Sequence, residues 1–353
     1  MKNKRIRQID IARKAGVHQS TVSFVLNRSD SGDKTGTVRI PPETIEMIQK
    51  IASEMGYKPN RSALELRGQR SYVIGMLMQP PGQRLFYERF ARLLIMEQIA
   101  YQRGYRIIIG HLFSARQQIN DYVDDFLSRR VDGVLCLAHY LGDQSHLITG
   151  RLAVLPNVVY FNKPLGVSNA YYVGTDYSDG IEQLIAHFVS KGRRNIGIAL
   201  MGRKYYPMTE RIKGYESGLK KADIEYDEKK VWAGPETMIL TEELLDQMVS
   251  KLVETAKVDA IIAADDEWAC LIMKRLHNRG IRIPEDIALA GYDNMSMSTL
   301  VTPSLTTVDC NYELIGKAMI DMLLELIEKT DSEKAKMQKH FIVKPRLIVR
   351  EST

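Results

Sequence analysis

The sequence predicts a mixed α/β chain, with a small all-helical N-terminal unit carrying a helix-turn-helix and a larger two-lobed unit on doubly wound parallel sheets. Three observations predict it. The chain has 353 residues, more than one compact core holds at roughly 100 to 200 residues per unit. Its excess positive charge sits at one end: residues 1–70 hold 14 Lys and Arg against 7 Asp and Glu, and the remainder 35 against 36. From Ser71 onward, short apolar runs alternate with amphipathic stretches, as expected for parallel strands covered by helices on both faces.

The first helix is predicted over Ile6 to Ala15, where Ile9, Ile11, Ala12 and Ala15 share one face, and Gly16 supplies the permissive backbone for a tight turn. Val17 is apolar. The run from His18 to Asn27 buries Val22, Val25 and Leu26 while displaying Gln19, Ser20, Ser23 and Asn27. Two helices separated by a Gly-containing turn of this length form a helix-turn-helix, whose second helix enters the major groove of DNA. An ordinary helical hairpin is the competing reading. The basic first segment favours the former, because a cationic unit beside a near-neutral one suits a polyanionic partner.

In the larger unit, a strand at Tyr72–Met78 is followed by a helix over Tyr87–Arg103, a strand at Arg106–Ile109, a helix near Ala115–Ser128 and a strand at Gly133–Leu137. The series restarts after Gly174. Helices at Gly180–Lys191, Arg211–Ala222, Leu244–Thr255 and Trp268–Arg279 alternate with strands at Ile196–Met201, around Val231, at Val258–Ala264 and at Ile287–Gly291. Two such series read as two lobes with a ligand cleft where the carboxyl ends of strands converge.

Composition excludes several classes. With 44% hydrophobic and 26% charged residues the chain has the make-up of an ordinary globular protein. No window approaches the ~18 apolar residues of a membrane span, and the charged residues Met1 to Arg7 precede no apolar stretch, so a cytoplasmic location is expected. Cys136, Cys270 and Cys310 lie far apart without CxxC or nearby His spacing; they read as buried reduced thiols, and neither metal nor cofactor is expected. An enzyme of carbohydrate metabolism with an accessory DNA-binding domain is the rival class, since such lobes also host catalysis. No GxxxxGK[ST], GxSxG, HExxH or strand-to-helix GxGxxG motif supports it, and no catalytic residue is assigned.

Asp10-Ile11-Ala12, Ala15-Gly16-Val17, Thr21-Val22-Ser23 and Leu26-Asn27 resemble the signature of the lactose-repressor family without gaps. The resemblance continues through Arg130-Val131-Asp132-Gly133, Glu210-Arg211-Ile212-Lys213-Gly214-Tyr215, Ile283-Pro284-Glu285-Asp286-Ile287, Gly291-Tyr292-Asp293 and Pro345 to Thr353. It implies a helix-turn-helix domain over 1–58, a hinge helix and linker over 59–71, and a periplasmic-binding-protein-like domain over 72–353. Lobe one is expected at about 72–162 and 294–325, and lobe two at about 163–293 and 326–353. A third helix is implied from about Pro42 to Met55, with Pro at its start and Gly56 at its end.

The function implied is a transcriptional regulator, chiefly a repressor, controlled by a small-molecule effector of carbohydrate type. Gln19, Ser20 and Phe24 fall at base-reading positions. Gln suits adenine and Ser is less selective; Phe24 replaces a common Arg and is left either to a thymine methyl or to packing. Thr21, Ser23 and Asn27 fall to phosphate contacts, and Ala63 and Leu66 to a hinge that wedges into the minor groove. The stretch Arg28 to Arg39 is longer than in relatives and reads as a surface loop.

For the effector, the resemblance implies Arg211 and Asp293 as a facing donor and acceptor, Asp179 and Asp265 as further acceptors, and Phe86 and Trp268 as apolar walls. A structural ion pair between Arg211 and Asp293 across the lobes, and a core role for Trp268, are the alternatives. Asp176 reads as a helix cap. The partners implied are double-stranded operator DNA, the effector and a second copy of the chain, since two-fold operators demand a dimer. Helix faces at Glu88–Gln102 and Gln117–Leu127 are candidates for that contact. With no leucine heptad at its C-terminal end, a tail-dependent tetramer is not expected.

Overall fold

Ile11, Val22 and Ile48 are fully buried together in one apolar cluster, which accounts for the three short amphipathic helices of the N-terminal unit: α1 (Gln8–Ala15), α2 (Gln19–Asn27) and α3 (Pro42–Glu54). The computed structural model describes residues 6–27, 40–57, 70–78, 86–112, 115–138, 144–203, 206–234 and 240–353. Contacts divide the chain into two compact units, Met1–Ser71 and Tyr72–Thr353. The expected hinge with Ala63 and Leu66, and the loop from Arg28 to Arg39, lie outside the described residues.

Local chemistry sets the helix ends. Gly16 closes α1 at φ +66°, and the Val17 N–H returns to the Ala12 carbonyl at 3.1 Å; a left-handed residue is needed there, and glycine takes it without strain. His18 then opens α2. Its carbonyl accepts from the Thr21 N–H at 3.0 Å and its Nδ1 from the Ser20 N–H at 3.3 Å, satisfying donors a helix start leaves unpaired.

The larger unit contains two parallel sheets. In the first, the strands are β1 (Val73–Met78), β2 (Arg106–His111), β3 (Gly133–Cys136), β4 (Val158–Phe161), β5 (Tyr171–Thr175) and β11 (His340–Val343), in the spatial order β11-β5-β4-β3-β1-β2. The second contains β6 (Ile196–Leu200), β7 (Val231–Ala233), β8 (Ala260–Ile262) and β9 (Ala288–Ala290), in the order β7-β6-β8-β9. Its central strands are wholly buried, as expected when helices cover both faces. These helices include α7 (Tyr177–Ser190), α8 (Tyr206–Lys221), α9 (Glu242–Val249) and α10 (Asp266–Asn278).

β10 (Thr307–Asp309) and β12 (Arg346–Ile348) pair antiparallel as a separate ribbon. β10 leads from the second sheet into α11 (Tyr312–Glu328), which packs on β3, β4 and β5 of the first, and β12 returns from β11. The remaining helices are α4 (Phe86–Gln102), α5 (Ala115–Ser128), α6 (Gln144–Leu152) and α12 (Asp331–Lys334).

Four expectations need correction. Residues 171–175 and 340–343, assigned to lobe two, are strands of the first sheet, with Phe341 opposite Val173 and Tyr172 opposite Tyr160. An apolar run shows that a strand is buried but not which sheet accepts it. The helix expected from Arg211 begins at Tyr206, its first turn carrying Pro207, which the start of a helix tolerates. The run expected as one helix over Leu244–Thr255 is α-helical only to Val249, and residues Ser250–Thr255 take the wider π form. Cys270 is half-buried, whereas Cys136 and Cys310 are buried as expected.

Candidate ligand and nucleic-acid sites

On α2, Val22 and Val25 face the small core while Gln19 and Ser20 are exposed on the first turn. This is the geometry of a reading helix, with its N-terminal polar side chains free of the core. Ser20 has a local partner: its hydroxyl lies 2.7 Å from His18 Nδ1. His18 therefore shapes this turn, a role the residue pattern did not disclose. Thr21, Ser23 and Phe24 are half-buried, so Phe24 spends part of its surface within the domain. The side chain of Asn27 lies outside the described residues.

The second site lies at the carboxyl ends of the second sheet's strands. Because β7 and β8 flank β6, the chain turns to opposite sides there, the place where open α/β sheets leave a crevice. Arg211, from α8 after β6, is 3% exposed and donates through Nη1 to the Ala264 carbonyl just past β8. Its guanidinium lies 3.7 Å from the centre of the Tyr292 ring and 5.3 Å from that of Tyr177. A cation stacked on aromatic faces gains about 2 kcal/mol when desolvated. Close packing makes that stack possible: a Cβ on Gly180 would lie 2.2 Å from the Tyr292 hydroxyl.

Asp293, just past β9, places Oδ1 3.7 Å from Arg211 Nη2. Burial opposes the Arg211 charge, but Tyr292, Asp293, Tyr177 and Cys310 together more than offset it and the guanidinium pKa is raised. The pair lies within the second lobe, not across the two, as the competing structural reading had it. Asp293 sits at φ +95°, a conformation costing about 1–3 kcal/mol in a non-glycine residue. Its N–H donates to the Val308 carbonyl at 2.8 Å and its Oδ1 accepts from the Tyr312 hydroxyl at 2.9 Å. These contacts hold it there.

The other expected effector residues fare differently. Asp265 is buried at the N-cap of α10, where its carboxylate accepts from the Trp268 N–H at 2.8 Å. A cap needs a short side-chain acceptor at that position, and Asp265 supplies it. Asp179 accepts from Gln183 Nε2 at 2.7 Å, and Gln183 in turn binds the Pro345 carbonyl and the Leu347 N–H. No hydrogen bond or ion pair among the described residues joins Asp179 to Arg211 or Asp293. Trp268 is buried in the main apolar cluster, which favours its core alternative over an open wall. Phe86 begins α4, and its side chain lies outside the described residues. Asp176 does cap α7, accepting from the Asp179 N–H at 3.0 Å.

Residue patterns missed Tyr177, the Ala264 carbonyl, Tyr312 and Asp266. The last is fully buried, accepting from the Met295 N–H at 2.6 Å and from the Thr307 hydroxyl. Burial pushes its carboxyl well above the usual range, against the pull of those two donors. Only Tyr292 had a visible signal, its place beside Asp293 in the Gly291-Tyr292-Asp293 run.

Residues 9–60 match the lacI family of bacterial regulatory proteins, and residues 185–353 match the periplasmic binding protein-like domain. Over 352 residues the chain is 30% identical to the HTH-type transcriptional regulator CelR of Thermobifida fusca, covering 97% of this chain and 96% of that one. The chain belongs to the lacI family. It is a DNA-binding transcriptional regulator, as are its relatives, and not an enzyme.

The HTH-type transcriptional repressor PurR of Vibrio atlanticus is 28% identical over 334 residues, covering 94% of this chain and 95% of that one. Among solved structures, the transcriptional regulator CelR–cellobiose complex superposes with a TM-score of 0.70 at 27% identity, covering 99% of this lacI-family chain and 100% of that one. The lac repressor dimer bound to operator shares the fold with a TM-score of 0.81 at 20% identity, over 99% of both chains. No helix among the described residues is long and apolar enough to cross a membrane.

Proposed function

We propose that this regulator binds a carbohydrate between Arg211 and Asp293 and that the bound sugar sets its affinity for operator DNA. One observation carries the reading. A buried guanidinium, stacked on Tyr292 and oriented by the Ala264 carbonyl, faces a carboxylate at 3.7 Å, where strands of the second sheet end. Sugar hydroxyls are both donors and acceptors, so a fixed donor and acceptor of opposite charge suit them. The CelR–cellobiose complex among its structural relatives favours a disaccharide.

Gln19 and Ser20 read base edges, with Phe24 beside them. Thr21, Ser23 and Asn27 hold phosphates, and Ala63 and Leu66 enter the minor groove as the resemblance implies. The protein works in the cytoplasm as a homodimer. Leu94 and Tyr101 on α4 and Leu127 on α5 are 54%, 57% and 45% exposed, and these two helices supply apolar surface for a second copy. Because ligand and operator act on one protein, each changes the affinity for the other by the same factor.

The test is a thermal-shift panel of cellobiose, other mono- and disaccharides, sugar acids and purines on the full chain. A bound ligand at 100 times its Kd adds about 2.7 kcal/mol of stability, and the ligand that does so must also change operator binding. If only purines or only sugar acids stabilise the protein, the neutral-sugar reading fails.

A further inference from the structure

Asp293 Oδ1 has three side-chain neighbours in this structure, the Tyr312 hydroxyl, the Cys310 thiol at 3.8 Å and Arg211, and the nearest is not Arg211. Its Oδ1 accepts from the Tyr312 hydroxyl at 2.9 Å, while Arg211 Nη2 stands off at 3.7 Å, beyond a hydrogen bond of good geometry. Tyr312 is the first residue of α11, the helix that packs on β3, β4 and β5 of the first sheet. Its ring meets Phe161, at the end of β4, edge-on with centroids 6.1 Å apart. The hydroxyl thus reaches from an element seated on one lobe to an acceptor carried by the other. Arg211 is left with a buried Nε that has no hydrogen-bond partner.

We propose that Tyr312 is the positioning residue of the effector site, holding Asp293 off Arg211 so that donor and acceptor remain separate and available to a ligand. This rests on the reading of Arg211 and Asp293 as the effector pair. A guanidinium and a carboxylate this close, both largely shielded from water, are strongly attracted, because the local dielectric is low. Left alone they close into a bidentate ion pair that occupies both groups. The phenol prevents this by donating to Oδ1, while the backbone of Asp293, tied through its N–H to the Val308 carbonyl at 2.8 Å, limits how far the side chain can follow. The donor comes from the first lobe, so any movement of the lobes relative to each other changes whether the pair is open or closed. Tyr312 also makes ligand affinity sensitive to lobe position, without having to touch the ligand.

The experiment uses the full chain and Tyr312→Phe, which keeps the ring on Phe161 and removes only the hydroxyl. Crystal structures of both are compared first. In the variant, Asp293 is expected to swing onto Arg211 with an N–O distance of about 2.8 Å; a pair that stays apart overturns the proposal, whatever the ligand. Cellobiose is then titrated into both by calorimetry. Binding about ten-fold weaker in the variant, with an undiminished melting temperature, supports the positioning role, because a general packing defect lowers both. Equal or tighter binding in the variant overturns it. If cellobiose and the wider sugar panel bind neither protein, the carbohydrate reading is what fails, and the crystallographic distance still decides the role of Tyr312.

Discussion

Replacing Arg211 with Met separates the stability role of this side chain from its ligand role. Met preserves most of the apolar stem and removes the guanidinium. The structure supplies the terms. The donation to the Ala264 carbonyl is a hydrogen bond from a charged donor, about 1.5–3 kcal/mol, and the stack on Tyr292 at 3.7 Å adds about 2 kcal/mol. Relief of the buried charge's desolvation offsets part of this. Removing one partner of a buried pair costs about 3–5 kcal/mol overall, and Asp293 keeps the Tyr312 hydroxyl, so the low end, about 3 kcal/mol, is expected. At roughly 2–3 °C per kcal/mol for a unit of this size, the melting temperature falls by about 6–9 °C. The assay pairs urea unfolding with operator binding, with and without the stabilising sugar. Operator affinity without sugar should stay within about three-fold of the parent, because the reading helix belongs to a separate compact unit, while the sugar response is lost. A variant with a normal sugar response would refute the assignment of Arg211 as donor, and one of unchanged stability would refute the energetic argument.

Gly180→Ala pushes its new Cβ into the Tyr292 hydroxyl at 2.2 Å. Overpacking of this kind costs about 1–3 kcal/mol, and because the ring under Arg211 must shift, sugar binding measured by calorimetry should weaken as well. Gln19→Ala should cost about 1–3 kcal/mol in specific operator binding, read by titration against a scrambled duplex whose affinity stays unchanged. Operator affinity of the parent should fall steeply between about 50 and 200 mM salt, as counterion release demands. Asp266 gives a pH signature. Burial raises its carboxyl in the folded state, so folding binds a proton there. Stability from this group is fully present below the unfolded value of about 4 and declines as pH rises from there toward the folded value. Asp266→Asn should remove that component, seen as a smaller fall in urea midpoint between pH 4.5 and 8 than in the parent.

Much of the fold was legible because it is written in short-range patterns. The spacing of Ile11, Ala12 and Ala15 and of Val22, Val25 and Leu26, with the conformational freedom of Gly16, specifies α1 and α2, and buried strands such as Ile196–Leu200 show as continuous apolar runs. That Arg211 and Asp293 face each other was also legible, because the motifs around them resemble a family. The local contacts of Asp265 and Asp179 were not legible, since a carboxylate near a helix start can cap the helix, bind a neighbouring side chain or meet a ligand: the structure has Asp265 capping α10 and Asp179 accepting from Gln183.

By itself, then, the sequence determined which segments become helices and strands, that a basic helical unit precedes a larger α/β unit, and the family to which both belong. Those properties depend on residues within a turn or two of each other, and on runs of identity that need no coordinates. Tertiary structure alone decided that β5 and β11 join the first sheet, that Arg211 is stacked on Tyr292 and Tyr177, and that Tyr312 reaches Asp293 from α11. Each of these joins residues distant along the chain through the packing of separate elements, and no local periodicity records which distant element a buried side chain will meet.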